Sequence, residues 1–127
     1  MRKQPINAPD APQPSGGYAQ ALELAGHERL LFVSGQIPES AGGEVPGDFG
    51  AQCRLVWANI EAQLRAAGMG TANIVKVTTF LSSRDHRAEN SAIRAEVLGE
   101  GPYALTVIIC DIYDEAWLLE IEVIAAG

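Results

Sequence analysis

The chain has few of the residues that metal centres, disulfide frameworks and nucleic-acid-binding surfaces require. It contains two cysteines, Cys53 and Cys110, and two histidines among 127 residues. The cysteines are isolated and form no Cys-x-x-Cys pair, so we expect two reduced, buried thiols and no metal site. Nine basic residues against sixteen acidic ones give a net charge of −7. Nucleic acid and anionic membranes both attract a basic face, so we expect neither as a partner.

Long apolar runs are also missing. No stretch approaches the roughly 18 apolar residues that indicate a membrane span. The first residues, Met1–Asn7, carry two charges with no apolar segment behind them, which argues against a signal peptide. We therefore predict a cytoplasmic protein. Hydrophobic residues nevertheless make up 47% of the 127 positions, enough for the core of one domain spanning residues 1–127.

Turn residues and apolar runs divide the chain into an arm and seven elements. Four of the seven prolines precede Gly16 and Gly17, so we predict an irregular N-terminal arm at residues 1–17. The order β-β-α-β-α-β-β then predicts an α+β domain with two helices on one face of a mixed sheet. The predicted elements are strands at 18–25 and 30–36 paired as a hairpin, a helix from Asp48 to Gly68, a strand at Ile74–Leu81, a helix from His86 to Leu98, and strands at 104–111 and 117–125.

The last two predicted strands indicate self-association. In the final strand, period 2 puts Leu119, Ile121 and Val123 on one face, which suits the helix-covered side of the sheet. The preceding run, Leu105–Cys110, barely alternates, and such a strand is usually buried on both faces. Two helices can cover only one face. We therefore predict a homo-oligomer with clefts between its subunits.

The segment Phe32–Pro38 (Phe-Val-Ser-Gly-Gln-Ile-Pro) points to a small-molecule site. An apolar strand ends there in a hydroxyl, a bare backbone and an amide. Glycine within a strand marks a bulge or a close approach of a ligand to the backbone. Ser34 and Gly35 are therefore candidate binding residues, and a purely local Ser-Gly turn is the alternative.

Several segments together resemble the YjgF/RidA family, and the resemblance covers about residues 15 to 126. They are Gly-Tyr18-Ala-Gln, Val-Ser34-Gly-Gln-Ile-Pro, Ile-Val-Lys76-Val-Thr and Leu-Glu120-Ile-Glu-Val-Ile-Ala. The resemblance implies a chorismate-mutase-like fold, a homotrimer and small-molecule clefts at the subunit interfaces. It also implies hydrolysis of reactive enamines and imines, such as 2-aminoacrylate, to keto acids and ammonia without a metal or cofactor.

The resemblance also implies the site residues. Glu120 matches the family's glutamate and would orient the attacking water. Tyr18, Ser34 and Asn90 match its ligand-contacting positions. Each has a structural alternative: a strand carboxylate for Glu120, a packing ring for Tyr18, a turn for Ser34 and a helix cap for Asn90. The family's arginine on the penultimate strand is absent, since its position falls on Leu105.

The loss of this arginine leaves three functional interpretations open. A bidentate arginine–carboxylate contact contributes about 1.5–3 kcal/mol, so Leu105 favours a neutral or cationic ligand in a divergent, deaminase-like trimer that uses Glu120. In the second interpretation, a 2-imino-acid deaminase uses a substitute cation such as Arg2, Lys3 or Arg29. The third is a non-enzymatic binding or chaperone-like trimer.

Overall fold

The structure is a computed structural model that describes residues 1–127 as an α+β fold. Two short 3-10 turns, at Thr71–Asn73 and Arg84–His86, precede strand β4 and helix α2. In chain order the elements are strands β1 (Arg2–Ile6), β2 (Ala21–Ala25) and β3 (Leu30–Gln36), helix α1 (Phe49–Ala66), strand β4 (Ile74–Leu81), helix α2 (Arg87–Leu98), and strands β5 (Ala104–Ile109) and β6 (Leu119–Ala126).

The main sheet has four strands in the order β3-β6-β4-β5. Strands β4 and β5 are parallel, whereas β6 is antiparallel to both of its neighbours. Helix α2 connects the parallel pair, as a parallel connection requires a crossover. The sheet is therefore mixed, as the sequence predicts.

Two expectations about the N-terminal region are wrong. Residues 2–6 are not part of an irregular arm but form β1, which pairs antiparallel with β2. The predicted hairpin between residues 18–25 and 30–36 is also absent, because β3 pairs with β6 instead. Arg29 exchanges backbone hydrogen bonds with Gly127 at 2.8 and 3.1 Å, so the chain leaves β2 and enters the main sheet beside the C-terminus. Pro5 is compatible with β1 because proline is tolerated in edge strands.

Both helices begin and end where the sequence predicts, to within about two residues. The Asp48 side chain accepts a hydrogen bond of 2.8 Å from the Ala51 amide and caps α1. Gly68, just beyond this helix, has a φ of 72°, and Gly99 after α2 has a φ of 64°. Glycine adopts a positive φ without the steric penalty of a Cβ atom, so it ends both helices.

The core lies between α1 and one face of the main sheet. The predicted alternation in β6 is confirmed, since Leu119 and Ile121 are fully buried and Val123 is 2% exposed. Cys53 on α1 is completely buried as well, and this burial raises the pKa of its thiol to about 12. Cys110 is half-buried at the end of β5.

The opposite face of the sheet, which we call the open face, is not covered by any helix. Phe32 is 70% exposed and Ile108 is 44% exposed. Strand β5 is accordingly not buried on both sides within one chain. Neither helix combines the length and apolar character needed to cross a membrane.

Candidate functional site

A bulge interrupts β3 at the Ser-Gly pair. Val33 pairs with Val123 and Gln36 pairs with Ile121, so Ser34 and Gly35 together stand opposite a single residue of β6. Two residues opposite one define a β-bulge. A bulge is one of the two features that the glycine in this strand predicts. Ser34 is exposed at the bulge.

Glu120 lies against the bulge through close contact with Gly35. A Cβ atom added to Gly35 would lie 1.9 Å from Glu120 Oε2 and 2.8 Å from its Cδ. Only glycine leaves room for the carboxylate in this position. Partial burial, and to a smaller extent the charge of Glu122, raise the pKa of Glu120 above its usual value. Ser34, Gly35 and Glu120 therefore form one group, which we call the bulge corner.

A separate cavity of about 320 Å³ lies between α2 and β5 on the helix-covered face. Leu105 and Val107, two residues apart in β5, pair with the buried Val77 and Thr79 of β4 and so share their face of the sheet. The cavity contains no acidic side chain. Its lining residues are Ser15, Tyr18, Leu81, Arg87, Asn90, Ser91, Arg94, Leu105 and Val107.

Asn90 is a buried polar side chain of this cavity without a full set of partners. It is only 2% exposed, and its Oδ1 atom has no hydrogen-bond partner. A buried, unsatisfied acceptor is costly. A ligand that donates an N–H or O–H group to Asn90 would remove that cost. The helix cap given as the structural alternative does not apply, because His86 is the N-cap of α2 and Asn90 lies buried inside the helix.

Arg94 is a buried cation without an acidic partner. It is 8% exposed, and its Nε donates a hydrogen bond of 3.3 Å to the Tyr103 hydroxyl. This is the only hydrogen bond that the Arg94 side chain makes within the chain. The two ion pairs of the protein, Arg2–Glu23 and Arg54–Glu96, lie elsewhere. The terminal nitrogens of Arg94 are not among the fully buried unpartnered atoms, so the guanidinium is accessible from the cavity and is available to bind an anion.

Tyr18 lies beside the same cation. The Ser15 amide donates a hydrogen bond of 3.4 Å to the Tyr18 hydroxyl. Hydrogen bonding with Ser15, and to a smaller extent the positive charge of Arg94, lower the pKa of Tyr18. The N-terminal segment thus supplies two side chains to the wall of the cavity.

The six predicted site residues fall into two groups on opposite faces of the sheet. Tyr18, Asn90 and Leu105 line the cavity. Glu120 pairs with Phe80 in β4, out of phase with the buried Leu81 and Leu119, which places the bulge corner on the open face. Within one chain the structure therefore brings together each half but not the complete site.

Sequence reasoning missed the two arginines of the cavity, Arg87 and Arg94. Their spacing with Asn90 was the available signal, because residues three, four and seven apart share one side of a helix. The substitute cations considered from sequence are engaged elsewhere. Arg2 pairs with Glu23, and Lys3 hydrogen-bonds to backbone carbonyls that include Ile74 O at 3.4 Å. Arg29 donates to Ala67 O at 2.9 Å.

No group of three or more His, Cys, Asp or Glu side chains is placed to hold a metal ion.

A mixed four-stranded sheet, two helices on one face and a polar cavity beside the parallel strand pair define a small α+β protein of the RidA type. The chain belongs to the endoribonuclease L-PSP family, the RidA/YjgF family, whose model matches residues 8–127. A RutC family protein of Pyrococcus horikoshii is 38% identical over 125 residues, 97% of each chain.

Solved structures give the same result. The conserved Rid family protein YyfB of Yersinia pestis, whose function is described as unknown, is 31% identical over the full length of both chains with a TM-score of 0.85. Escherichia coli TdcF, solved with bound serine, is 30% identical over 98% of both chains with a TM-score of 0.73. Small-molecule binding is thus a property of a related structure.

Proposed function

We propose that this protein is a cofactor-free hydrolase of small imines or enamines that carry a carboxylate, and that it acts in clefts between the subunits of a homotrimer. The observation that carries the proposal is Arg94, a buried cation with no acidic partner, beside the unsatisfied Oδ1 of Asn90 in one cavity. A ligand with a carboxylate next to an imine or amine nitrogen would supply an anion for Arg94 and an N–H donor for Asn90 Oδ1.

The positions of the bulge corner and the cavity support assembly into an oligomer. The bulge corner lies on the open face, where Phe32 and Ile108 expose apolar surface. Exposed apolar residues that cluster on one face mark interaction surfaces. The bulge corner lies at the β3 edge of the sheet and the cavity at the β5 edge. A second subunit packed on the open face with its β3 edge along the β5 edge of the first would place its bulge corner beside that cavity, so that each complete cleft would contain residues of two chains.

The arrangement suggests a role for each group. Arg94 would bind the carboxylate, and Asn90 Oδ1 would accept a hydrogen bond from the N–H of the imine or enamine. Glu120 of the partner subunit would take a proton from a water molecule while the water oxygen bonds to the carbon of the C=N group. Return of that proton to the nitrogen gives a carbinolamine, and transfer of its remaining hydroxyl proton to the nitrogen through Glu120 of the partner subunit forms the C=O bond and breaks the C–N bond. An enamine reaches the same carbinolamine after it tautomerises to the imine. The products are a keto acid and ammonia.

The cavity reverses the argument about ligand charge. Leu105 removes the family's arginine from β5 and so favoured a neutral or cationic ligand. Arg87 and Arg94 approach the same cavity from α2, with no acidic residue among its lining side chains. Positive charge is therefore supplied from a helix instead of a strand. Serine, the ligand of the related TdcF structure, also carries a carboxylate.

Two other functions have less support. The family description names an endoribonuclease, but a net charge of −7 opposes binding to a polyanion. A non-enzymatic, chaperone-like trimer would not require a buried arginine without a counter-ion.

Turnover of freshly generated 2-aminoacrylate tests the proposal in four proteins: wild type, Glu120→Gln, Arg94→Gln and Arg65→Gln. We expect wild-type activity, no activity in Glu120→Gln, and a kcat/KM for Arg94→Gln lower by a factor of roughly 10–150. Arg65 is exposed on α1, so Arg65→Gln is the control for loss of one positive charge. Unchanged activity in Glu120→Gln would contradict the mechanism.

A fourth variant, Leu105→Arg, separates the two accounts of ligand charge. If wild type is inactive and Leu105→Arg gains activity, the cavity does not bind carboxylates through Arg94, and the proposed ligand class is wrong. If wild type is active, an additional arginine beside Arg94 should not increase kcat/KM.

A further inference from the structure

We propose that the substrate of this site carries two anionic groups, so that dicarboxylate imines are its substrate class. This inference rests on the proposed function, because it adds a second anion to the ligand that Arg94 would bind. It follows from the presence of two arginines at different depths of one cavity.

The first argument is the spacing of the arginines along α2. Arg87 and Arg94 are seven residues apart, which is about two helical turns and about 10.5 Å along the axis. Both line the same cavity, and Asn90 and Ser91 lie between them. One guanidinium can bind one carboxylate in a bidentate contact. The second arginine on the same side of the helix is therefore available for a second anion.

The second argument is the difference in burial between the two cations. Arg94 lies at the inner end and is 8% exposed, whereas Arg87 is exposed at the mouth. The Arg87 Nε donates a hydrogen bond of 3.3 Å to Arg84 O, and no acidic side chain forms an ion pair with this residue. An inner and an outer cation match a ligand with one anion at each end.

The mouth of the cavity continues into a shallow groove with further positive charge. Arg87 and Ser91 line both, and the groove adds Arg84, Asp85 and Ala88. Asp85 makes no ion pair with either arginine of the groove. Two arginines against one carboxylate leave the mouth positive, although the whole protein is acidic.

The third argument is the apolar wall between the two ends. Leu81, Leu105 and Val107 face the arginines across the cavity. Hydrocarbon at this position would pack against the methylene groups that join two carboxylates. Leu105, which stands where the family has an arginine, therefore contributes to the wall instead of binding charge.

The test measures binding of two stable probes of equal chain length, glutarate and pentanoate, by isothermal titration calorimetry. Four proteins are compared: wild type, Arg87→Gln, Arg94→Gln and the surface control Arg65→Gln. We expect wild type and Arg65→Gln to bind glutarate at least about 10-fold more tightly than pentanoate, since a charge-assisted contact contributes about that factor. Arg87→Gln should remove this preference and keep the affinity for pentanoate. Arg94→Gln should weaken both.

The outcomes separate the inference from the proposed function. If pentanoate and glutarate bind wild type equally well, or if the preference survives in Arg87→Gln, the inference is wrong and the proposed function stands. If neither probe binds and 2-aminoacrylate is not hydrolysed, the proposed function fails as well. Far-UV circular dichroism checks the fold of Arg94→Gln. Arg94→Lys, which keeps the charge, should retain measurable binding of both probes if Arg94 acts as a cation.

Discussion

The two faces of the main sheet contain different chemistry. The helix-covered face contains the apolar core and, at its β5 edge, a cavity with two arginines and no acidic residue. The open face has exposed apolar side chains and a corner where Glu120 lies against Gly35, with Glu122 in the same strand. The two arginines of the cavity and the carboxylates of Glu120 and Glu122 thus lie on opposite faces of the sheet, and the open face also carries Lys76 near Glu122. An assembly that joins the β3 edge of one subunit to the β5 edge of the next would bring these arginines and carboxylates together around a ligand.

The largest expected effect is on the free energy of unfolding, and it compares one isoleucine from each face. Ile121→Ala removes a fully buried side chain and should lower the free energy of unfolding by about 2–5 kcal/mol. Ile108→Ala removes the same atoms from a residue that is 44% exposed on the open face. Denaturant titration at protein concentrations low enough to dissociate subunits should show a clearly smaller loss for Ile108→Ala. Equal losses would mean that the faces do not differ in packing.

A smaller effect concerns the bulge corner. Gly35→Ala places a methyl group within 1.9 Å of Glu120 Oε2, so the flexible carboxylate has to move. Displacement of a catalytic group by about 1 Å can cost roughly 100-fold in rate, while the stability should change little. Gly47→Ala is the matched control, because a Cβ there meets no atom within 4 Å. Steady-state kinetics and thermal unfolding of both variants check this prediction. Full activity in Gly35→Ala would mean that the reaction does not depend on the position of Glu120.

The smallest effect is on the pH dependence of stability. Burial, and secondarily Glu122, raise the pKa of Glu120, so the folded state binds its proton more tightly than the unfolded state does. This group therefore lowers stability as the pH rises from the ordinary glutamate range through the raised pKa, and the penalty is absent below that range. Glu120→Gln should be more stabilising, relative to wild type, at pH 7 than at pH 4. A stability difference that does not depend on pH, measured by urea titration at both values, would contradict this.

Local signals in the sequence predicted much of the fold. Ile74–Leu81 forms β4 with the predicted bounds, and Asp48 and Gly99 terminate helices as expected. These predictions depend on residues close in the chain. The pairing of β3 was mispredicted because it depends on β6, about ninety residues further on. Strand β1 was not predicted because the prolines of the N-terminal region indicated an irregular arm.

The site was predictable only in part, for a similar physical reason. Tyr18, Asn90 and Leu105 do line one cavity, and Ser34, Gly35 and Glu120 do meet at one bulge. Arg94 was not identified because its importance comes from its burial beside Tyr103 and β5, which only the tertiary structure shows. The resemblance predicted that Leu105 takes the place of a strand arginine, whereas the two arginines that α2 presents to the cavity were found only in the structure.

The burial of Cys53 has a practical consequence for measuring dynamics. Only a thiolate reacts readily with alkylating reagents, and this thiol is both enclosed by the core and held protonated by a pKa of about 12. Its alkylation therefore requires α1 to separate from the sheet. The half-buried Cys110 does not share this enclosure. The rate at which Cys53 becomes labelled would thus report the opening of the core in the unmodified protein, with no probe introduced.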